Sequence, residues 1–557
     1  DEAFAYSSVE EISIPEQVKE IGGRAFYWCR NLKKVHFPEY SQLRKFSKEM
    51  LFYAPIKELY IPSSIEEMGK GWCDFMIKLK KITISPKNKH FTCIDDKLLV
   101  TKSNKNSDEF DTIVFACRDI KKAVIPSSIK IIGPFSFSWC KHLKSIEFLT
   151  DSKLQLIGEE AFSYSTLVSI SIPSSVLEIK ESSFYKCQSL RSIEIPENSE
   201  LRSIGKEAFA HTPIESLFIP SKVEEIKERW CSHTPKLTNI TISENNKYFK
   251  YYDNKIILNK IQETDDNYTN IIFCRRDIKE ITIPDYIKCI KSYSFCECQQ
   301  LQTIEINETS NLEIIEEGSF IKTSIEEIYF PKEIQEVQEG WCKHTSKLKQ
   351  IKISLHNKHF KIIDNQYLIK RTESEEYDYL IFANRNITEA VIPKQIRRIG
   401  AYSFSWCKKL QSINFSDDSN LHLIDKDSFS KSSIKSIVIP STVKSIEDRA
   451  FFKCKDLTSV QFSENSELTL INKKAFSLSS IQSISIPSKV RLIGEKAFYS
   501  CKYLESVSLQ EDSELINIEK NAFSLSSINE IFIPRKVNQI GERSFFKCEN
   551  LQSIEIA

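Results

Sequence analysis

A proline that follows Ile or Phe recurs through the whole chain. It stands at Pro15, Pro62, Pro126, Pro173, Pro220, Pro284, Pro331, Pro393, Pro440, Pro487 and Pro534. The steps are 47 residues, except for two of 64 and one of 62. Self-similarity at a fixed period over 557 residues constrains the fold more than any composition does. Each unit is too small to bury its own apolar face, so like stacks on like and one core runs along the array.

Each period holds two similar halves. One reads Ile439-Pro-Ser-Thr-Val443-Lys-Ser-Ile446-Glu-Asp-Arg-Ala450-Phe451-Phe-Lys-Cys454-Lys-Asp-Leu457-Thr-Ser-Val460-Gln-Phe462. The other reads Leu468-Thr-Leu-Ile471-Asn-Lys-Lys-Ala475-Phe476-Ser-Leu-Ser-Ser-Ile481-Gln-Ser-Ile484-Ser-Ile486-Pro487. The period-2 alternation closing each half predicts a short strand with one buried face. There are 22 such segments, from Val9–Ile14 to Leu551–Ile556, mostly 23 or 24 residues apart. That spacing closes one right-handed turn and lays each strand parallel to the last, in a ladder roughly 100 Å long. The Ala-Phe pair returns once per coil. It is expected on the opposite, convex wall in a short helical or 3₁₀ turn, with stacked Phe rings as its spine. The proline follows the strand, where a missing N–H does little harm.

The pattern Ile-Pro-x-x-Val-x-x-Ile-Gly-x-x-Ala-Phe-x-x-Cys-x-x-Leu-x-x-Ile-x-Phe resembles the leucine-rich repeats of BspA-like (Treponema pallidum-type) proteins over essentially the whole chain. It returns with little drift at Ala497–Leu504 and Ser544–Leu551. The Lys-, Ile-, Ser- and Asn-rich flavour is similar to expanded sets in trichomonad or amoebic protists. The resemblance implies an α/β-type solenoid, a horseshoe or superhelix with about 22 parallel strands on the concave face. It also implies an adhesin-type surface protein. The chain is expected to be one continuous solenoid over 1–557. Both ends read as cut within the array, because Asp1-Glu-Ala-Phe starts in mid-repeat and Ala557 follows a strand directly.

Three long steps mark insertions, at 85–119, 243–277 and 354–386. Asn88-Lys-His-Phe, Asn246-Lys-Tyr-Phe and Asn357-Lys-His-Phe open them, an Asp-Asp or Asp-Asn turn follows, and a polar stretch leads to a second apolar run. These read as β-hairpins that replace the convex turn and stand out from the coil. All six Trp precede a Cys. Trp72, Trp230 and Trp341 lie just before the insertions, Trp139 and Trp406 just after the first and third, and Trp28 alone. Two readings stand: filler where an insertion disturbs packing, or exposed ligand anchors.

Sixteen Cys raise the question of disulfides. Cys29, Cys140, Cys187, Cys298, Cys407, Cys454, Cys501 and Cys548 share one position in alternate coils. Equivalent positions are then about 9.6 Å apart, beyond the roughly 7 Å that a disulfide spans. They read as a structural ladder of free thiols used as small hydrophobes. Cys93 and Cys117 fall on the two strands of the first hairpin, and a pairing between them stays open.

Nothing in the chain reads as catalytic machinery. There is no Cys-x-x-Cys, His-Glu-x-x-His, phosphate loop, nucleophile elbow or EF-hand loop. His90 and His359 share one repeat position, as do His233 and His344, which reads as structural. No enzyme, metal or cofactor is expected. Lys plus Arg is 77 against 76 for Asp plus Glu, so net charge gives no footprint for nucleic acid. No run of 18 apolar residues suggests a membrane span. Sequons at Asn239, Asn267, Asn307, Asn386 and Asn414 permit secretion.

A solenoid offers a long surface, so binding is the expected function. In alternate strands the residue between the last two apolar positions is aromatic or apolar at Tyr60, Val124, Phe218, Tyr329, Val391, Val438 and Phe532. Tyr60, Phe218, Tyr329 and Phe532 are the candidate ligand stripe. The plain alternative is β-propensity and cross-strand packing. The leading expectation is a cell-surface or secreted adhesin for a host or bacterial protein or glycan. The alternatives are a cytoplasmic scaffold, which free thiols would suit, and a passive spacer.

Overall fold

A computed structural model describes residues 1–557 apart from 105, 261, 263–266 and 374. The chain divides into two compact units, Asp1–Arg276 and Asp277–Ala557, each taken by itself. The described residues form 48 short strands. The long ladder has ten strands in the first unit and twelve in the second, 22 in all. Its register follows the sequence repeat: in the first unit Ala123 lies opposite Ile146, and in the second Ile437 lies opposite Val460. Eight strands from Glu389–Ile392 to Ser553–Ile556 run without interruption.

A second ladder of two-residue strands was not anticipated. Ser445–Ile446 is flanked by Leu423–Ile424 and Leu470–Ile471, so that Ile424, Ile446 and Ile471 stack. Together the two ladders enclose Val443, Ile446, Phe451, Cys454 and Leu457, all fully buried.

The helical or 3₁₀ wall expected for Ala-Phe is not there. No described residue is in an α- or 3₁₀-helix. The wall is built of β-turns in which two residues per coil, such as Arg449 and Lys453, hold positive φ. Arg449, Phe451 and Lys453 donate their N–H groups to Lys473, Ala475 and Ser477 of the next coil at 2.7–3.0 Å. The intervening Ala450, Phe452 and Cys454 N–H groups close local turns. A single helical turn would spend its donors inside one coil and leave the neighbour unbound. Each left-handed non-Gly residue costs about 1–2 kcal/mol; inter-coil hydrogen bonds at about 1 kcal/mol each help to offset this. Gly71, Gly318 and Gly340 occupy the same left-handed slot, where glycine is unstrained. The Phe spine forms as expected: Phe404, Phe429, Phe451, Phe476, Phe498, Phe523 and Phe545 stack at 4.9–5.6 Å.

Each insertion is a three-stranded antiparallel meander. In the first, Phe91–Ile94 pairs with Leu98–Thr101, which pairs with Thr112–Ala116. The last strand then joins Ile131–Ile132 of the short ladder in parallel. The third follows the same plan through Phe360–Ile363, Tyr367–Arg371 and Tyr377–Ala383. Asp95 and Asp96 both hold positive φ, the geometry of a two-residue hairpin turn. Asn88 starts the meander: its Nδ2 donates to the Pro62 and Ile65 carbonyls, and its Oδ1 accepts from the His90 and Phe91 N–H groups. Asn246 and Asn357 repeat this clamp. The inserted strands do not stand clear of the coil. Leu98, Val100, Ile113 and Ala116 belong to the core that continues to Phe273, while Leu99, Phe115 and Cys117 belong to the core that begins at Ile14.

Candidate binding surface

Tyr60, Phe218, Tyr329 and Phe532 occupy outward positions of the long ladder and are partly exposed. Directly opposite them stand Thr83, Thr241, Lys352 and Glu555. Neither unit gathers its own two into one patch. In the first unit Val124, Glu147, Ser171 and Glu194 take outward positions between Tyr60 and Phe218. In the second, polar rungs such as Asn414, Gln461 and Ser485 lie between Tyr329 and Phe532. The face is therefore mostly polar, broken by isolated aromatic rungs and by the exposed Val124, Val391 and Val438. Tyr60 is pinned: its hydroxyl donates to Glu39, which also accepts from Ser85 at 2.8 Å. Burial, then that hydrogen bond, raises the Tyr60 phenol above its ordinary value.

The cysteine ladder is buried and reduced, with Cys548 partly exposed at its end. The thiols are more than fillers. Cys454 donates to the Phe429 carbonyl at 3.0 Å and meets the Ser432 hydroxyl, and Cys187, Cys501 and Cys548 repeat this contact to Phe162, Phe476 and Phe523. Each thiol pegs one coil to the one before. Burial pushes the Cys187 and Cys454 thiols up to about 12. Cys93 and Cys117 are also free thiols.

Three of the six Trp residues fill the core, and Trp28, Trp139 and Trp406 are partly exposed. Trp72, Trp230 and Trp341 are buried among core rings. Trp28 and Trp139 are partly exposed on the turn wall of the first unit, stacked on Tyr53 at 4.4 Å and Tyr164 at 4.2 Å. Arg30 and Lys141 lie over the two indoles at 4.6 and 4.7 Å.

Sequence reasoning missed three buried arginines. Arg118 is 2% exposed, lies over Phe115 at 4.3 Å, and donates to the Ala116 and Ser136 carbonyls. Its terminal nitrogens also face the Cys140 and Cys73 sulfurs. Arg385 repeats this with Phe382, Ser403, Cys407 and Cys342, and Arg276 with Phe273 and Cys231. The signal was present, because Arg118-Asp-Ile, Arg276-Asp-Ile and Arg385-Asn-Ile each stand at the end of an insertion.

The seam beside the first insertion carries an acid pair, Asp74 buried and Glu160 partly exposed. Burial raises the Asp74 carboxyl to about 6 against a hydrogen bond from the Phe75 N–H. Burial, then the charge on Asp74, raises Glu160 to about 7. Ser163 donates to Glu160 at 3.1 Å and meets Ser138 at 3.1 Å. In the second unit the corresponding slots hold Lys343 and Asp427. There Arg449 pairs with Asp427 at 3.1 Å and Lys343 donates to the Tyr402 hydroxyl at 3.3 Å.

Parallel ladders, a phenylalanine spine and a 47-residue period define a leucine-rich-repeat solenoid. The chain belongs to the BspA-type family: a profile described as a BspA type leucine rich repeat region (6 copies) matches residues 1–107, 108–238, 267–371, 375–482 and 469–557. No curated protein matches it. Among solved structures it is similar to a leucine rich cell surface protein from Faecalibacterium prausnitzii, at 20% identity over 84% of this chain and 94% of that one, TM-score 0.35. A leucine-rich repeat protein from Bacteroides ovatus is 19% identical over 83% and 94%, TM-score 0.35. One from Eubacterium ventriosum is 17% identical over 71% and 95%, TM-score 0.39. Values this low transfer no site. Among the described residues no helix is long and apolar enough to cross a membrane.

Proposed function

We propose that this chain is a non-catalytic binding protein, displayed at a cell surface or secreted, that recognises a host or bacterial protein or glycan through its solenoid surface. The observation that carries the reading is the long ladder's outward row, where Tyr60, Phe218, Tyr329 and Phe532 stand as separate aromatic anchors among polar rungs. Partly exposed aromatic side chains are the usual anchors of protein interfaces. The similar protein from Faecalibacterium prausnitzii, a leucine rich cell surface protein, agrees with it. Free thiols would favour an intracellular scaffold, since oxidising compartments pair cysteines. Burial weakens that objection, because all but Cys93 and Cys548 are buried and a protonated, enclosed thiol is unreactive.

Antibody labelling of intact against permeabilised cells tests the setting. Labelling of intact cells supports surface display; signal only after permeabilisation overturns it and favours the scaffold. Replacing Tyr60, Phe218 and Tyr329 with Ser is expected to abolish ligand binding with folding intact. Retained binding would remove the aromatic row from the function.

A further inference from the structure

The second unit contains a groove of about 460 Å³ at the foot of the third insertion. That size falls within the ~300–1,000 Å³ of small-ligand clefts. Lys288, Lys332, Lys358, His356 and His359 line it. The amides of Asn311 and Gln335 and the carboxylates of Glu313 and Glu333 complete the lining. Two lysines are engaged, Lys288 with Glu313 at 3.1 Å and Lys332 with Glu333 at 3.3 Å. These pairs are half-exposed, so they hold their lysines weakly. The rim is not a loose loop. Asn357, buried between His356 and Lys358, fixes the backbone there through the Pro331 and Ile334 carbonyls at 3.0 and 2.9 Å. A backbone held in this way keeps the neighbouring donors in place before a ligand arrives.

We propose that this groove binds an acidic oligosaccharide, a short glycan carrying sulfate or carboxylate groups. The cations meet the anionic substituents. The amides and the two carboxylates exchange hydrogen bonds with sugar hydroxyls. The lining disfavours the other polyanions and acidic peptides. It holds no Phe, Tyr or Trp on which a base would stack. Glu313 and Glu333 oppose an unbroken string of phosphates. No large aliphatic side chain is present to anchor a peptide. The first and second insertions begin with Lys89-His90 and Lys247-Tyr248 where the third has Lys358-His359, so a basic foot is a habit of these meanders. The inference deepens the binding reading above and takes its biological setting from it. A negative result in intact-cell labelling concerns that setting and leaves the groove's chemistry to the following test.

Binding of a sulfated, heparin-derived hexasaccharide to the full chain is measured by titration calorimetry at 50 and 200 mM NaCl. Its desulfated, N-acetylated counterpart and an oligodeoxythymidylate are measured alongside. The sulfated sugar is expected to bind, with roughly ten-fold weaker affinity at the higher salt as its charges are screened. The Lys288→Gln, Lys332→Gln, Lys358→Gln triple variant is expected to lose about ten-fold or more. A matched triple at Lys444, Lys489 and Lys536, exposed elsewhere on the unit, is expected to stay within about two-fold. Lys358→Gln alone, with about a three-fold loss, serves if the triple lowers Tm. Absence of binding at 50 mM NaCl, equal binding by the groove and matched triples, or tighter binding of the oligonucleotide would each overturn the proposal.

Discussion

At the scale of single residues, the turn wall depends on side chains held where L-residues are uncomfortable. Ser182 has a φ of 55°. Ser182→Gly should leave Tm unchanged or raise stability by up to about 1 kcal/mol, whereas Ser182→Val should cost about 1–2 kcal/mol. Equal effects in thermal unfolding would count against the left-handed slot. These slots were hard to read in the sequence because they hold Glu, Lys, Arg, Tyr, Trp, Phe, Leu, His and Ser, with Gly71, Gly318, Gly340, Asp427 and Asn521 as the few hints. The buried arginines were obscured in another way: a lone charged residue in a polar stretch reads as surface. Asp74 and Glu160 titrate above their ordinary values, so the folded state binds more protons than the unfolded one between roughly pH 4 and 7. Their contribution is present in acid and is lost as pH rises through about 6 to 7. Glu49, Glu159, Lys70 and Arg118 share that field. Asp74→Asn with Glu160→Gln should stabilise the first unit at pH 8 by on the order of 3 kcal/mol and flatten its pH profile. A wild-type Tm that does not rise from pH 8 to pH 5 would contradict this.

At the scale of elements, the strand periodicity was legible because alternation along a ladder is written in consecutive residues. The 22 long strands fall where Ile and Leu alternate with polar residues. The two-residue strands were not legible, since a single Ile after a polar residue carries no periodicity. The meanders were half legible. The Asp-Asp turn and the apolar runs were visible, but their burial depends on coils on either side. The clamp at their start has a measurable role. Asn357→Ala removes five hydrogen bonds and leaves three carbonyls and two N–H groups without that partner. The expected cost is about 2–4 kcal/mol, with faster amide exchange concentrated in Phe360–Ala383. Exchange that speeds up evenly along the chain would assign Asn357 no special role.

At the scale of each whole unit, stability is a sum of coils and the interfaces between neighbours. Residues 436–482 form one complete period of 47 within an uninterrupted stretch. Deleting that period should leave Ser412–Phe415 to meet Ser483–Ser485 in the register that it now has with Ser436–Ile439. The shortened chain should keep its β-rich circular dichroism and unfold at a modestly lower Tm. Deleting 436–458 alone removes the half that holds Cys454 and sets one cysteine-free half against another. It should destabilise more, because each cysteine thiol donates to a coil of the other kind. Equal Tm values for the two deletions would refute the two-coil period as the unit of stability. The surface chemistry at this scale was the least legible part, because the groove residues are drawn from four coils, its three lysines from three of them, and they acquire a common site only when stacked.

The first meander has a mechanical consequence. Its strands face two ways, with Leu98, Val100 and Ile113 on one side and Leu99 and Phe115 on the other. It therefore acts as a bulkhead. Fraying or a proteolytic nick among the coils before it floods one compartment and stops there, since the apolar filling beyond is closed off by a wall with its own hydrogen bonds. An array of identical coils without such walls would peel from an open end. This one is built to lose a segment and keep the rest.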